Sequence, residues 1–489
     1  MCMSDYINEL LRENVSNGDI EAILEKAARF QGLAPKEAAA LLTLSDETYT
    51  SRIFEIAGQI KNHIYGERIV LFAPLYVSDY CVNSCAYCGF KGSENQKRRR
   101  LSQSEVQAQV AILEKMGHKR LAIEAGEDPI NCPLDYILGC IDTIYTTSDI
   151  RRVNVNIAAL DTKGYRRLKA ANIGTYILFQ ETYHRPSYAQ FHPVGPKGDY
   201  DYHFGAFERA MEAGLDDVGA GVLFGLYDYK YEALALMLHN EALERRYGVG
   251  FHTISVPRIR DIESGRAYPY GVSDADFLKL VAILRIAVPF TGMIISTRET
   301  PEMRRRLIRI GISQMSAGSS AAVGGYTALS DVNNPVILNN PIIPGLTRDP
   351  ISSGEAGRPR VKPGVTENDF RGKESSSSPQ FSLSDNRSAD EIFYWLMEEG
   401  ILPSFCTACY RRNRSGARFM EMAKKGDIKN ICLPNGLLTL KEYALDYGDA
   451  RFKALADTII TQKLTQLENP ATVQAKLHEL EQGKRDIYI

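Results

Sequence analysis

Six of the nine cysteines fall into two trios that lie far apart in the chain. The first trio is Cys81, Cys85 and Cys88, and the second is Cys406, Cys409 and Cys432. Thiolates bind iron–sulfur clusters and zinc. A structural zinc site needs four ligands, whereas three thiolates on a four-iron cluster leave one iron open to a small molecule. The spacing therefore favours a cluster with one open iron at each trio.

Zinc is the alternative at both places. No further His or Cys lies close to the first trio in sequence, and the histidines that flank the second trio along the chain are the distant His252 and His478. A zinc site would thus need a fourth ligand from far away. Cys2, Cys132 and Cys140 lie outside the trios, and small buried or incidental thiols are the simpler interpretation of them.

Composition excludes several classes of protein. The 489 residues are 44% hydrophobic and 24% charged, which is ordinary for a folded chain with a large core. The net charge of −2 argues against nucleic acid or an anionic membrane as partner. The N-terminal residues match neither a secretory signal nor a transit peptide, and no apolar run is long enough for a membrane span. We expect a cytoplasmic protein whose thiols stay reduced.

Short apolar runs rich in β-formers alternate with helical patterns between residues 68 and 320. Val106, Val110, Leu113 and Met116, for example, recur at helical spacing. The candidate strands are 69–77, 120–125, 153–158, 174–180, 217–224, 250–256, 292–297 and 312–317. Eight strands separated by helices predict a closed (β/α)8 barrel, the TIM-barrel fold.

The sequence divides into four regions. Residues 1–67 are predicted to be helices that flank the barrel, and residues 68–327 to form the barrel. Residues 328–388 are rich in Pro, Gly and Ser and predict a flexible insertion. Residues 389–489 are predicted to be a helical domain that carries the second trio. The first trio follows the first strand and therefore belongs to the C-terminal mouth, where barrel enzymes hold their active sites.

The CxxxCxxC spacing, with Tyr87 before its last cysteine, resembles the radical S-adenosylmethionine (SAM) enzymes. The resemblance implies a [4Fe-4S] cluster whose open iron is chelated by SAM, which one electron then cleaves to a 5′-deoxyadenosyl radical. It also implies that the Gly-Glu motif Gly126-Glu127-Asp128 receives the SAM amino group and that Tyr87 lies along the adenine. A turn and a surface aromatic residue are the alternatives.

The second trio and several barrel segments are similar to the HydG family of tyrosine lyases, which are [FeFe]-hydrogenase maturases. The matching segments are FCTACYRRNRSGARFM, AKKGDIKNICLPN, FQETYHRPSY, HPVGPKGDYDYH, GLYDYKYEAL, HTISVPRIR and TGMIISTRE. The family resemblance implies an auxiliary [4Fe-4S] cluster with a labile fifth iron, held by His252 and a bound L-cysteine. His252 is predicted at the start of its strand, and so at the N-terminal mouth, which implies an internal passage between the two sites.

The resemblance further implies a reaction and partners. Tyrosine would be cleaved at Cα–Cβ to p-cresol and dehydroglycine, and the latter converted to carbon monoxide and cyanide in a cysteine-ligated Fe(CO)2(CN) unit. The implied partners are L-tyrosine, other maturases, apo [FeFe]-hydrogenase and a low-potential donor such as ferredoxin or flavodoxin. Two alternatives stay open: a 2-iminoacetate synthase-type lyase that stops at dehydroglycine, and a non-catalytic iron–sulfur scaffold.

Residues that position the substrate are predicted from strand ends. Arg298 follows the seventh strand and is a cation for a substrate carboxylate, with Ser316 and Ser319 nearby. Gln180 and Glu181 end the fourth strand and are predicted to face SAM, an ion pair being the alternative. Further candidates are His184 and His192 as a proton relay and residues 97–100 as a docking site for a donor, each weighed against a solvated surface role.

Overall fold

The computed structural model describes residues 2–92, 97–260, 268–330 and 378–489. Eight parallel strands form its barrel, and the first strand pairs with both the second and the eighth, which closes the cylinder. The strands are β1 (Arg68–Ser78), β2 (Arg120–Ala125), β3 (Arg152–Asn156), β4 (Tyr176–Glu181), β5 (Val218–Val222), β6 (Thr253–Ser255), β7 (Gly292–Ile295) and β8 (Gln314–Ser316). The predicted closed barrel is confirmed, and all eight strands lie within or beside their predicted ranges.

Helices surround the barrel, and four further helices precede it in the chain as the N-terminal flank. The flank consists of α1 (Met3–Leu10), α2 (Asn17–Ala27), α3 (Pro35–Thr43) and α4 (Thr50–Tyr65). The barrel helices are α5 (Gln103–Lys115), α6 (Leu134–Thr147), α7 (Thr162–Ala170), α8 (Arg185–Phe191), α9 (Tyr200–Phe204), α10 (Ala206–Glu212), α11 (Tyr229–Tyr247), α12 (Asp274–Ala287), α13 (Pro301–Ile310) and α14 (Gly325–Ser330). Ser102 and Glu105 form a capping box that fixes the start of α5.

Strand β1 shows how the sequence divides its two faces. Leu71, Ala73 and Leu75 are buried, whereas Phe72 and Tyr76 line the barrel interior. Because side chains alternate along a strand, one face packs under the helices and the other forms the wall of the interior. The interior of the C-terminal half holds a cavity of about 240 Å³.

A ninth strand, β9 (Leu402–Ser404), comes from the C-terminal region and was not predicted. It pairs with the start of β1, with Arg68 opposite Leu402 and Val70 opposite Ser404. Val70 also pairs with β8, so β9 occupies the other edge of β1, the edge that β2 takes further along. This pairing brings the segment after β9 to the N-terminal mouth of the barrel.

The C-terminal region is otherwise helical. Its helices are α15 (Ala389–Glu398), α16 (Ala408–Arg411), α17 (Gly416–Lys424), α18 (Ile428–Asp446), α19 (Ala450–Leu464) and α20 (Pro470–Glu481). The predicted insertion 328–388 lies outside the described residues over 331–377. Its described end, residues 378–388, contacts the barrel, and the four region boundaries stay predictions. In the described part of the chain, no helix combines the length and apolarity needed to cross a membrane.

Candidate active site

The first trio lies in the loop that follows β1. Arg98 fixes this loop: its Nη1 donates to the carbonyl oxygens of Asp79 at 2.9 Å and Phe90 at 3.1 Å, and its Nη2 donates to that of Lys91 at 2.5 Å. This arginine belongs to the basic run 97–100 that we considered as a docking site. Because its side chain binds three carbonyl groups of the cysteine loop, Arg98 stabilises this loop. These contacts give no support for docking at Arg98.

All three cysteines of the first trio line the cavity. Burial raises the pKa of Cys85 to about 12 and that of Cys88 to about 11. Thiols in such surroundings become thiolates when a cation coordinates them, because a metal ion outweighs the cost of burying the charge. The chemistry of this donor set therefore fits a metal centre. Among the described residues, no three His, Cys, Asp or Glu side chains close around a single metal ion.

The Gly-Glu motif packs directly against the cysteine loop. A Cβ atom on Gly126 would collide with the carbonyl oxygen of Tyr80, so glycine is required for this approach. Glu127 lines the cavity and accepts a 2.6 Å hydrogen bond from Nδ2 of Asn83. Burial raises the pKa of Glu127. Asp128 instead accepts from the backbone N–H groups of its own turn and does not line the cavity.

Tyr87 is held by a histidine. Its hydroxyl lies 2.7 Å from Nε2 of His192, and Nδ1 of the same ring lies 2.8 Å from the carbonyl oxygen of Tyr188. A carbonyl only accepts, so Nδ1 carries the proton and Nε2 accepts from Tyr87. His192 thus fixes the ring of Tyr87 at the cavity wall. His184 lies elsewhere, stacked on Tyr227 with 3.6 Å between ring centroids.

Of the pair that ends β4, one residue faces the cavity. Glu181 lines it and forms a 2.7 Å ion pair with Nζ of Lys197. Its backbone has φ of +66°, a strained conformation for a non-glycine residue. Gln180 is buried, does not line the cavity, and leaves its Nε2 without a hydrogen-bond partner. The ion pair that we weighed as the alternative for Glu181 is present.

The cavity wall formed by β2, β7 and β8 carries further polar groups. Arg298 and Ser316 line the cavity, whereas Ser319 does not. Glu124, which the sequence analysis did not single out, also lines it and accepts a 2.6 Å hydrogen bond from Nδ2 of Asn156. Burial raises the pKa of Glu124 well above its usual range. The cavity thus combines apolar walls with a small set of charged and amide groups, as sites for small molecules do.

The second trio lies at the other end of the barrel. Cys406 follows β9, and its carbonyl oxygen accepts a 3.0 Å hydrogen bond from Nη2 of Arg120, the first residue of β2. Arg68, the first residue of β1, interacts electrostatically with all three thiols. Cys409 donates a hydrogen bond to Cys432, which, together with Arg68, lowers the pKa of Cys432. Because the first trio follows the end of β1, the two trios lie at opposite mouths.

His252 lies at the N-terminal mouth, as predicted from its strand. Its ring contacts Phe419 at 4.7 Å and lies 6.3 Å from the ring of Tyr410, the residue after Cys409. Its Nδ1 is buried without a hydrogen-bond partner, 3.8 Å from Oδ1 of Asp217. Four arginine Nε atoms at this mouth are also buried without a partner in the described part of the chain: those of Arg68, Arg120, Arg152 and Arg414.

The sequence analysis missed Asn83, Lys197, Glu124, Gln380 and Phe381, which all line the cavity. Asn83 stands inside the cysteine motif and was detectable from its position. Glu124 was detectable too, because it stands near the C-terminal end of the predicted strand 120–125, and Lys197 lies in the segment HPVGPKGDYDYH. Gln380 and Phe381 carried no signal: they lie in the region predicted to be an insertion, and they reach the cavity only through the tertiary fold.

Comparison with known proteins gives two family matches. Residues 75–239 match the Radical SAM superfamily, and residues 255–402 match the Biotin and Thiamin Synthesis associated domain. The 2-iminoacetate synthase of Salmonella typhimurium is 28% identical over 311 residues, which are 63% of this chain and 82% of that protein.

Two solved structures match almost the entire chain. A crystal structure of HydG, described as a maturase of the [FeFe]-hydrogenase, is 48% identical with a TM-score of 0.87 and 99% of both chains covered. The structure of the maturase HydG from Carboxydothermus hydrogenoformans is 35% identical with a TM-score of 0.78, covering 98% of this chain and 96% of that chain.

Proposed function

We propose that this chain, which belongs to the HydG family of [FeFe]-hydrogenase maturases, is a radical SAM carbon–carbon lyase that acts on L-tyrosine. Its membership of the family is the reason for the proposal. Its products would be p-cresol and dehydroglycine. Dehydroglycine would then give carbon monoxide and cyanide at a second site, as a cysteine-ligated Fe(CO)2(CN) unit for assembly of the hydrogenase H-cluster. The observation that carries the proposal is the whole-length match together with a cysteine trio at each barrel mouth.

The first site supports the radical step through its own residues. Cys81, Cys85 and Cys88 would hold the [4Fe-4S] cluster, and Tyr87 and Glu127 would contact SAM. When bound, these groups would supply the 5′-deoxyadenosyl radical chemistry needed to remove a hydrogen atom from the tyrosine amino group. The chain's part is to orient: Asn83 directs the Glu127 carboxylate and His192 fixes the Tyr87 ring.

We assign substrate binding to the cavity wall formed by the ends of β7 and β8. Arg298 presents a guanidinium inside the cavity, and a planar guanidinium binds a carboxylate through two parallel hydrogen bonds. Ser316 lines the same wall. Ser319 does not line the cavity, so we propose for it only an indirect role in positioning the substrate. Glu181, paired with Lys197, would border the SAM site; we assign Gln180 and Asp128 supporting positions behind it. The enclosure keeps water from the radical and its small products.

At the second site we propose an auxiliary [4Fe-4S] cluster held by Cys406, Cys409 and Cys432. The buried, unpartnered Nδ1 of His252 fits the labile fifth iron, and bound L-cysteine would complete its ligands. The arginines at this mouth offset the negative charge of thiolates and of a carboxylate. We further propose a low-potential electron donor, other maturases and apo [FeFe]-hydrogenase as partners.

Two other functions are distinguished by one experiment. The relation to 2-iminoacetate synthase favours a lyase that stops at dehydroglycine, but that relative aligns with only 63% of this chain. Anaerobic protein with both clusters reconstituted is incubated with dithionite, SAM, tyrosine, cysteine and excess iron. We expect 5′-deoxyadenosine, p-cresol and carbon monoxide. p-Cresol without carbon monoxide would indicate the simpler lyase, and no deoxyadenosine a non-catalytic scaffold.

A further inference from the structure

A short segment from outside the eight strands crosses the C-terminal mouth of the barrel. We call residues 379–387 the strap. The backbone N–H of Gly89 donates to the carbonyl oxygen of Gln380 at 2.9 Å, and the N–H of Gln380 donates to that of Ala321 at 2.9 Å. Further along, the N–H of Ser384 donates to the carbonyl oxygen of Thr297 at 2.9 Å. The strap is therefore tied to the cysteine loop and to the ends of β7 and β8.

Packing fixes the strap at both ends. A Cβ atom on Gly89, the residue after Cys88, would collide with the carbonyl oxygen of Pro379, so only glycine permits this contact. At the other end, Asp385 is completely buried and pairs with Arg304 and Arg387. A buried carboxylate held by two guanidinium groups is an expensive arrangement to break. The residues between these anchors are thus held in a defined position.

The strap places two side chains in the cavity, Gln380 and Phe381. The ring of Phe381 lies 4.0 Å from Cζ of Arg298, and Oε1 of Gln380 accepts a 2.9 Å hydrogen bond from the hydroxyl of Tyr76. A guanidinium stacked on an aromatic face gains electrostatic attraction while all its N–H donors stay available at the edges.

Arg298 differs from the other arginines buried in this part of the molecule. Arg304 is paired with Asp385, and Arg258 is paired with Glu299 and Asp274. Within the described residues, the guanidinium of Arg298 forms no ion pair with a carboxylate, and the Phe381 ring lies against it. A guanidinium that keeps its donors free and faces a cavity is suited to an anionic group of a ligand.

We propose that Phe381 is a positioning residue for substrate recognition: its ring orients the Arg298 guanidinium so that the N–H edge meets the carboxylate of the amino-acid substrate. This rests on the proposed function, in which that substrate is L-tyrosine. The strap thereby makes the end of a region predicted to be an insertion part of the binding site.

The test compares a substrate with an analogue that lacks the carboxylate. Phe381→Met keeps volume but removes the ring, and Phe381→Tyr keeps the ring. In holoenzyme supplied with SAM and dithionite, we expect Phe381→Met to raise KM for L-tyrosine about fivefold to thirtyfold, with kcat for p-cresol within about threefold. The inhibition constant of tyramine should stay within about twofold. Phe381→Tyr should match the wild type in all three.

Tyr202→Met is the matched control, because its ring lies 4.0 Å from Cζ of Arg209, outside the cavity and away from the strap. It should leave KM and the tyramine constant unchanged. An unchanged KM in Phe381→Met, or a parallel rise of the tyramine constant, would overturn the proposal. The proposal would also be overturned if Phe381→Met and Phe381→Leu both misfolded while Phe381→Tyr folded, because the ring would then be needed for folding. Wild-type enzyme that forms no p-cresol would instead refute the proposed function.

Discussion

The two mouths of the barrel treat their polar side chains differently. At the C-terminal mouth, Glu127 is bonded to Asn83 and Glu181 to Lys197. The N-terminal mouth leaves buried atoms without a protein partner, among them Nε of Arg68 and Nδ1 of His252. Buried polar groups are normally satisfied, so unsatisfied ones indicate a ligand. The C-terminal mouth also holds such atoms, Nε2 of Gln180 and Oγ of Ser319 among them, but these residues do not line the cavity, whereas Arg68 interacts with the second trio itself. The contrast supports the proposal that the chain organises the C-terminal site and that a bound group completes the N-terminal one.

The largest expected effect comes from the first trio. Cys85→Ser should lower 5′-deoxyadenosine, p-cresol and carbon monoxide together by at least about a thousandfold, since every later step depends on the radical. The three products are quantified from one anaerobic incubation, with iron content of the second cluster as the control. Any carbon monoxide formed from tyrosine by this variant would contradict the order of the two sites.

The second trio should separate the steps. Cys406→Ser is expected to lower carbon monoxide by at least about a hundredfold and to leave p-cresol within about threefold, because the trios lie at opposite mouths. Chromatography of p-cresol and a haemoglobin assay for carbon monoxide measure the two outputs. Loss of both products in a folded variant with an intact first cluster would show that the two mouths act as one site.

A smaller effect is expected from the cation beside the second trio. Arg68→Gln removes a buried guanidinium that interacts with all three thiols. We expect carbon monoxide formation to fall about tenfold, while p-cresol formation is unchanged and Arg68→Lys recovers part of the loss. The EPR spectrum of the second cluster should shift in Arg68→Gln. An unchanged spectrum and unchanged output would mean that Arg68 only supports the fold.

The sequence allowed the barrel to be predicted because its signal is local. Strand β2 was predicted with its observed bounds, Arg120–Ala125, and each alternation of apolar strand and amphipathic helix spans few residues. The first trio, the Gly-Glu motif and the strand-end position of Arg298 follow from the same local pattern.

What escaped prediction depends on contacts between distant residues. β9 is three residues long and contains Pro403, so its sequence alone gives no strand signal. The segment becomes a strand because it pairs with the free edge of β1. Tyr76 and Gln380 are 304 residues apart, and the low-complexity composition around Gln380 gave no reason to place it in the cavity. Arg98 was predicted to have a surface role because the sequence does not show that the backbone carbonyl groups of the cysteine loop face its side chain.

The smallest expected effect concerns the layer between the two sites. Below the cavity, Asn154, Thr253 and Gln314 are buried on the strand faces that carry the cavity-lining residues Asn156, Ser255 and Ser316. They form a floor that the predicted internal passage must cross. Gly292 leaves room for this floor: a Cβ atom there would lie 2.8 Å from Nε2 of Gln314 and 3.2 Å from Cγ2 of Thr253.

Gly292→Ala should therefore push Gln314 toward the barrel axis and narrow the route. We expect unchanged p-cresol formation and a twofold to fivefold lower ratio of carbon monoxide to p-cresol, which is about 0.4 to 1 kcal/mol in the barrier to transfer. Glyoxylate, the hydrolysis product of dehydroglycine, should rise correspondingly. Gly18→Ala, which adds a methyl group near only Ser16, is the matched control. An unaltered ratio would mean that the fragment reaches the second site by a path outside the barrel floor, and the two mouths would then communicate through solvent.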